Sequence, residues 1–350
     1  MTDLTVRGAG IFGLSIAWEA LKRGAAVTVI DPHGPGAGSS GGVVGALQPH
    51  TPDPWNDKKQ FQFESLLLAR NFWTEVEAAS GIPSGYARVG RVQPLASERE
   101  IDLAKQRTAS ARQNWQGQAT WQVVDADLAG DWRPPSPTGL YVSDTLSAIL
   151  NPRAAVESLA SAIRAKGGAI LSDGDAAGNI VWATGWQGLL DLNAALERPV
   201  GNGVKGQAAL LGYNAAGQSQ IFASGLHFVP HLDGTLAIGS TSEREFDTPD
   251  ATDHQLDDLL ERATAILPVL HGVPVLKRWA GVRPRSQSRA PLLGPWPDRP
   301  GHYIANGGFK IGFGMAPKVA EVMVDLMLEG QDRIPPEFRT DAIMASDPKA

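Results

Sequence analysis

Apolar positions along this chain fall into three patterns, and each predicts an element. Two short, unbroken apolar runs, residues 4–6 and 26–30, lack the polar alternation of a half-exposed strand and read as buried parallel strands. Residues 11–23 between them follow a helical period. The same period predicts helices over 57–79 (ending at Gly81), 97–113, 151–168, 252–266 and 315–329. Asn151 is placed to cap the helix over 151–168, with Pro152 at its first position. Alternating β segments recur over 204–240, in "GQAALLGY", "GLHFVPHL" and "TLAIGSTS", and their spacing predicts an antiparallel sheet. Short strands over 86–95, broken by Gly90 and Pro94, a strand over 274–282, and a strand "NIVWATG" at 179–185 ending in a tight turn complete the pattern. The Pro-rich stretch 127–139 is a candidate crossing between domains. Two interleaved sheets follow, one parallel and one antiparallel.

Composition narrows the class. A chain of 350 residues exceeds what one core usually serves, so two domains are expected. The net charge is −6 with no Lys/Arg block, which offers nothing to nucleic acid or to an anionic membrane surface. With no cysteine, disulfides, thiolate metal sites and thioether-linked cofactors are excluded. No run approaches the roughly 20 apolar residues of a membrane span, and no secretory leader pattern opens the chain. A cytoplasmic protein is expected.

The chemistry begins at "VRGAGIFGLSIAWEALKRGAAVTVID". Gly8, Gly10 and Gly13 form G-x-G-x-x-G between a strand and a helix, and the next strand ends at Asp31. In such a unit the first glycine permits the turn, the second admits a pyrophosphate, and the third lets the helix pack on the strand. The helix N-terminus favours phosphate, and the acid accepts from ribose hydroxyls. An acid at position 31 disfavours a 2′-phosphate, which leaves NAD or FAD. The bland alternative is a βαβ packing unit with no ligand. The glycine-rich stretch 31–45 reads as a loop wrapping the cofactor rather than a linker.

Four further segments, in order, carry a resemblance: "GSSGGVVGALQPH" (38–50), "IVWATGWQG" (180–188), "WAGVRPRSQSRAPLLGP" (279–295) and "ANGGFKIGFGMAPKVAEVMVDLM" (305–327). With "HFVPHLDGTLAIGSTSEREFDTPD" (227–250), the chain resembles the D-amino-acid oxidase superfamily of flavoproteins over most of its length. The likeness is strongest to the glycine oxidase and sarcosine oxidase branch.

That resemblance implies an α/β fold with an α+β part. A Rossmann-type FAD-binding domain would comprise 1–80, 139–200 and 290–350, and an antiparallel-sheet substrate domain 81–138 and 201–289. It implies FAD, held non-covalently, because there is no Cys and the position of the linking His is Gly42. Gly8, Gly10, Ile11, Phe12 and Gly13 would surround the pyrophosphate and Asp31 the ribose. Ser39, Ser40 and Gly42 would pass over the pyrophosphate and flavin, and Ala183, Thr184 and Gly185 would bring backbone close to them. Gly307, Gly308, Phe309, Lys310 and Ile311 would lie by the flavin pyrimidine, with a helix starting near Met315 aimed at the same ring. Arg283 would grip the substrate carboxylate, with Arg285 as fallback. Lys310, His227 and His50 would lie near substrate or flavin, and His231 would face solvent.

The implied reaction is oxidation of the C–N bond of a small amino acid or N-alkyl amino acid by hydride transfer from Cα to flavin N5. O2 would be the acceptor, and the enzyme could be a homo-oligomer. Alternatives are a quinone-coupled amine dehydrogenase, the flavin subunit of a heteromeric complex, an NAD-dependent dehydrogenase, and a flavin domain acting on modified tRNA. The NAD reading leaves the later segments unexplained, and the acidic pI of about 5.7 opposes the tRNA reading. Two departures stand out. Arg7 occupies a position that is usually apolar. Only "GGAILSDGDAAGN" precedes the "ATG" strand, shorter than in the family, which puts the family's adenine-side contacts in question here.

Overall fold

The computed structural model of the protein describes residues 2–130 and 132–345. Asp131, inside the expected crossing, and residues 346–350, at the end of the expected cofactor domain, lie outside the described residues.

The strand Leu4–Arg7 lies inside a six-stranded sheet, parallel to Val27–Ile30 on one side and to Asn179–Trp182 on the other. Ala169–Leu171 extends the first side and His302–Asn306 the second, both parallel, and Leu292–Pro295 adds one antiparallel edge strand. The apolar runs form the middle of this sheet because only there are both strand faces covered. Helices Ile11–Lys22, Asp57–Ser80, Pro152–Ala165 and Gly312–Glu329 pack on one another beside it. Leu14, Ile16, Ala17, Val319, Ala320 and Met323 are buried in that contact. Local signals set the helix ends. Asn151 accepts from the N–H groups of Arg153 and Ala154, and Gly81 closes the 24-residue helix in the left-handed region.

The second sheet has eight strands, in the order Val275–Ser286, Gly201–Leu211, Leu236–Gly239, Leu226–Pro230, Gln220–Ala223, Arg91–Pro94, Leu140–Asp144 and Trp121–Asp125. All neighbours are antiparallel except Gln220–Ala223 with Arg91–Pro94. A small pair, Ala46–Leu47 with Ala148–Ile149, joins the loops at the junction of the two sheets.

The structure differs from the sequence expectations in four places. Trp121–Asp125 is a strand, and it pairs with Leu140–Asp144 across the Pro-rich stretch. The chain therefore leaves and rejoins one sheet there, and sheet membership changes after Asp144 rather than at 139. Second, the turn after "NIVWATG" opens a helix, Gly185–Ala195, which Thr184 precedes. Third, the helix expected over 315–329 begins at Gly312, because Met315 N–H already bonds Ile311 O. Fourth, His231 is buried rather than solvent-facing. The tight turn 231–235 curls the imidazole inward, where Nδ1 meets the Thr235 hydroxyl at 3.2 Å. Among the described residues no helix is long and apolar enough to cross a membrane.

Candidate functional site

A continuous cavity of about 1350 Å³ runs from the carboxyl ends of the parallel strands to the face of the eight-stranded sheet. Open α/β sheets bind ligands at those strand ends, and the volume exceeds that of an ordinary small-molecule pocket. Every expected cofactor residue lines it except Gly13 and Gly307.

At the N-terminal end, the glycines are required by close backbone approach. Gly8 has φ +106°, and a Cβ there would lie 2.4 Å from Ala183 O. A Cβ on Gly13 would lie 2.0 Å from Gly8 O, so Gly13 acts by letting the helix pack onto the strand. Helix Ile11–Lys22 has no acidic residue in its first turn and no side-chain cap on Gly10, so apart from the Ile11 N–H its positive end stays open. Asp31 Oδ2 accepts from Ala9 N–H at 2.7 Å and Oδ1 from His33 N–H at 2.9 Å. The carboxylate is thus fixed at the cavity edge with lone pairs to spare. Ser40 Oγ accepts from Ile11 N–H at 3.0 Å and ties the glycine-rich loop to the helix start. Arg7 lines this end as well, and its Nη2 donates to Gly174 O at 3.2 Å across the shortened segment.

The middle of the cavity is framed by a second helix start. Gly312, Phe313 and Gly314 line it, Ile311 provides no side-chain cap, and the first turn of Gly312–Glu329 carries no acid. Such an end stabilises negative charge. A Cβ on Gly308 would lie 2.9 Å from Phe12 Cζ, so the two loops are packed together. Trp279 presses on Gly42, where a Cβ would meet its ring at 3.2 Å.

At the far end lie Arg283, Lys310 and His227, with His50 and Arg91 also on the wall. Arg283 comes from the strand Val275–Ser286 and is only 8% exposed. Its Nη2 donates to Ser240 Oγ at 2.6 Å, and Nη1 reaches Thr241 O at 3.4 Å. The guanidinium lies flat across Gly206 of the neighbouring strand; a Cβ there would fall 1.9 Å from Nη2. Among the described residues no carboxylate lies within ion-pair distance of it. Burial pulls its pKa down to about 10, against a lesser opposing effect of Glu243, so it remains cationic near neutrality. Arg285 does not line the cavity.

Lys310 stands exposed on the cavity wall beside the Phe309 ring. Desolvation, then the charge of Arg283, lowers its pKa. His227 Nδ1 is shut off without a hydrogen-bond partner. Burial, then the charges of Arg91, Lys310 and Arg283, pushes its pKa down to about 4, which keeps it neutral. His50 is held by Gln62. The amide donates to Gln48 O at 3.1 Å, so its oxygen accepts from both His50 N–H (2.7 Å) and Nδ1 (2.5 Å). That arrangement places the imidazole proton on Nδ1. Burial also lowers the His50 pKa, outweighing the Gln62 bond and joined by the charges of Lys58 and Lys59.

Gly206, Ser240, Gln62, Trp279 and Arg91 were not legible as site residues. Gly206 reaches Arg283 across paired strands, Ser240 reaches it from just beyond the strand Leu236–Gly239, and Gln62 reaches His50 from the helix Asp57–Ser80; spacing along the chain encodes none of these contacts.

The sequence profile of the FAD dependent oxidoreductase family (DAO) matches residues 3–326. The chain belongs to that family. Its cofactor is accordingly FAD, and the protein is an oxidoreductase. Among known proteins, the chain is similar to glycine oxidase of Pseudomonas putida, with 33% identity over 46% of this chain and 44% of that one. It is also similar to the bifunctional protein ThiO/ThiG of Nostoc, with 26% identity over 93% of this chain and 53% of that one. The chain thus spans about half the length of these relatives. The crystal structure of glycine oxidase from Geobacillus kaustophilus superposes with a TM-score of 0.83, at 21% identity, over 96% of this chain and 97% of that one. This last likeness concerns the fold.

The residues present fit the family's flavin. Two uncapped helix starts without acids flank the cavity, and glycines stand where backbone must approach closely.

Proposed function

We propose that this DAO-family protein is an FAD-dependent amino-acid oxidase. It would take a small amino acid or N-alkyl amino acid, of the glycine, sarcosine or D-amino-acid kind, and oxidise its C–N bond with O2 as the final acceptor. The observation that carries this reading is Arg283: a buried guanidinium on the cavity wall, oriented by Ser240 and Thr241, with no carboxylate paired to it among the described residues. A guanidinium fork matches a substrate carboxylate in two hydrogen bonds.

FAD, when bound, supplies the acceptor for the hydride leaving Cα. Gly8, Gly10, Asp31 and Ser40 would hold its dinucleotide part, and the starts of the two helices would favour its negative groups. It would be held non-covalently, since the chain has no Cys and carries Gly42 where relatives with covalent flavin have the linking His. Arg283 anchors the substrate by its carboxylate and so fixes the direction of the Cα–H bond. His227 and His50, both kept neutral, add no positive charge against the substrate amine, which must itself be neutral to react. Lys310 adds positive charge on the same wall, for substrate or for the reduction of oxygen. With no nucleophile–base pair needed, positioning supplies most of the rate. The imine product then hydrolyses in water.

The test is the visible spectrum of the purified, FAD-loaded protein under anaerobic addition of glycine, sarcosine and D-alanine in turn. Bleaching by one or more of them is expected, with recovery on admitting air. A spectrum unmoved by any amino acid overturns the reading, and bleaching that air does not reverse replaces O2 with another acceptor.

A further inference from the structure

The far end of the cavity is rich in donors. Arg283 and Lys310 are cations, and the acidic residues lining the cavity are Asp31 and Asp250 alone among the described residues. Asp31 stands at the dinucleotide end, engaged with the Ala9 and His33 N–H groups, and Asp250 is exposed. An amino acid seated on Arg283 brings a nitrogen that must be neutral to react. A neutral amine still carries N–H groups, and these bind best to a neutral acceptor.

His50 offers one whose polarity is fixed. It follows the strand Ala46–Leu47 and is held by Gln62 of the helix Asp57–Ser80, itself only 2% exposed. The Gln62 oxygen takes both His50 N–H and the Nδ1 proton, at 2.7 and 2.5 Å. Nε2 is therefore left with a lone pair and no proton. Among the described residues nothing bonds Nε2, and it is not sealed from the cavity that the ring lines. His227 differs, because its Nδ1 has no partner and so nothing there sets which nitrogen carries the proton.

The backbone that carries the His50 ring is held as well. Asn114 Nδ2 donates to Pro52 O at 3.1 Å and Lys59 Nζ to Asp53 O at 2.8 Å, while Arg107 pairs with the Asp53 carboxylate at 2.8 Å. An acceptor fixed before its ligand arrives loses little freedom on binding.

We propose that His50 Nε2 accepts a hydrogen bond from the substrate nitrogen, so that the site selects amino acids whose amine keeps an N–H: primary and secondary amines, and not tertiary ones. This inference rests on the amino-acid oxidase reading and names the group that recognises the amine. With the carboxylate on Arg283 and one N–H on His50, two contacts fix the rotation of Cα between them. The nitrogen lone pair stays free to form the C=N bond as the hydride leaves Cα. The N–H grows more acidic as that bond forms, so the contact tightens toward the transition state.

The experiment uses the FAD-loaded protein and two planar carboxylates that cannot be oxidised as amines. Pyrrole-2-carboxylate has an N–H beside the carbon that bears the carboxylate, and 2-furoate has a ring oxygen in the same place. Both are titrated by flavin absorbance. Pyrrole-2-carboxylate should bind at least about fivefold more tightly to the parent protein, since it gives Nε2 a proton to accept where 2-furoate sets lone pair against lone pair. His50→Leu should weaken pyrrole-2-carboxylate alone and bring the two to within about twofold. Equal affinity in the parent protein, an advantage that survives in His50→Leu, or a variant that weakens both ligands alike overturns the proposal. The parent comparison stands whether or not the variant folds.

Turnover gives a second reading without an inert ligand. The ratio of kcat/KM for sarcosine to that for N,N-dimethylglycine, which has no N–H when neutral, should fall at least about fivefold in His50→Leu; an unchanged ratio overturns the proposal. Binding of neither carboxylate, together with no flavin reduction by any amino acid, overturns the underlying oxidase reading instead. Binding of neither while amino acids do reduce the flavin counts against His50.

Discussion

Gly206→Ala should separate substrate binding from folding. In the strand pairing, Val204 lies opposite Arg283 and Gly206 opposite Gly281, so Gly206 is the diagonal neighbour over which the arginine side chain lies. An added methyl carbon would fall 1.9 Å from Nη2 and 2.2 Å from Cζ and Nη1. Ordinary contact begins near 3.4 Å, so the guanidinium must retreat by about 1.5 Å. It is the end of a flexible side chain, and the strand backbone accepts alanine, so the fold should hold. The retreat breaks the 2.6 Å bond to Ser240 and tilts the fork away from the carboxylate. A charge-assisted hydrogen bond contributes about 1.5–3 kcal/mol, which corresponds to a roughly 10- to 150-fold weaker grip. Because the carboxylate is held equally before and during reaction, the loss should fall on KM and leave kcat nearly constant. Stopped-flow reduction of the flavin at varied amino-acid concentration reads both quantities, and the 450 nm absorbance of the purified protein reads FAD content. Arg283→Ala should give the same defect, and the double variant no further one, since the two act through one contact. A Gly206→Ala protein that keeps FAD and binds substrate within about twofold of the parent would refute this reasoning.

Three other outcomes are expected. Asp31→Ala removes the acceptor of the Ala9 and His33 N–H groups; it should yield protein that loses FAD on gel filtration, whereas a fully yellow product would remove Asp31 from the cofactor site. Gly13→Ala sets a methyl 2.0 Å from the Gly8 carbonyl, backbone against backbone; a cost of roughly 3 kcal/mol or more is expected, read as a lowered Tm and poor FAD loading. His227 has its folded pKa lowered from 6.5 to about 4, so between those values the unfolded chain binds more protons and stability falls as pH drops. Thermal melts from pH 7 to 4.5 should show that loss in the parent and less of it in His227→Gln; identical slopes would mean that the imidazole titrates normally.

Much of the scaffold was legible because it is set by local chemistry. The G-x-G-x-x-G turn, the cap at Asn151, the stop at Gly81 and the unbroken strand 26–30 each depend on residues within a few positions of one another. Where reading failed, distant contacts decided. Trp121–Asp125 is a strand only because Leu140–Asp144 lies beside it. "ATG" reads as a turn until Gly185 is seen to open a helix. His231 is polar and follows a strand, yet its turn carries it inward.

The division in the site itself follows the same physics. The sequence alone determined that a dinucleotide-binding unit is present and, through four ordered segments, which family of chemistry it serves. It also singled out Arg283, Lys310, His227 and His50, and all four line one cavity. Only the tertiary structure decided how they act. Arg283 is aimed by Gly206 and Ser240, and His50 is fixed in one tautomer by Gln62. Those relations join residues from 12 to 77 positions apart. Spacing along a chain encodes a turn or a helix face, but the orientation of a guanidinium or the protonation of an imidazole depends on what packing places beside it.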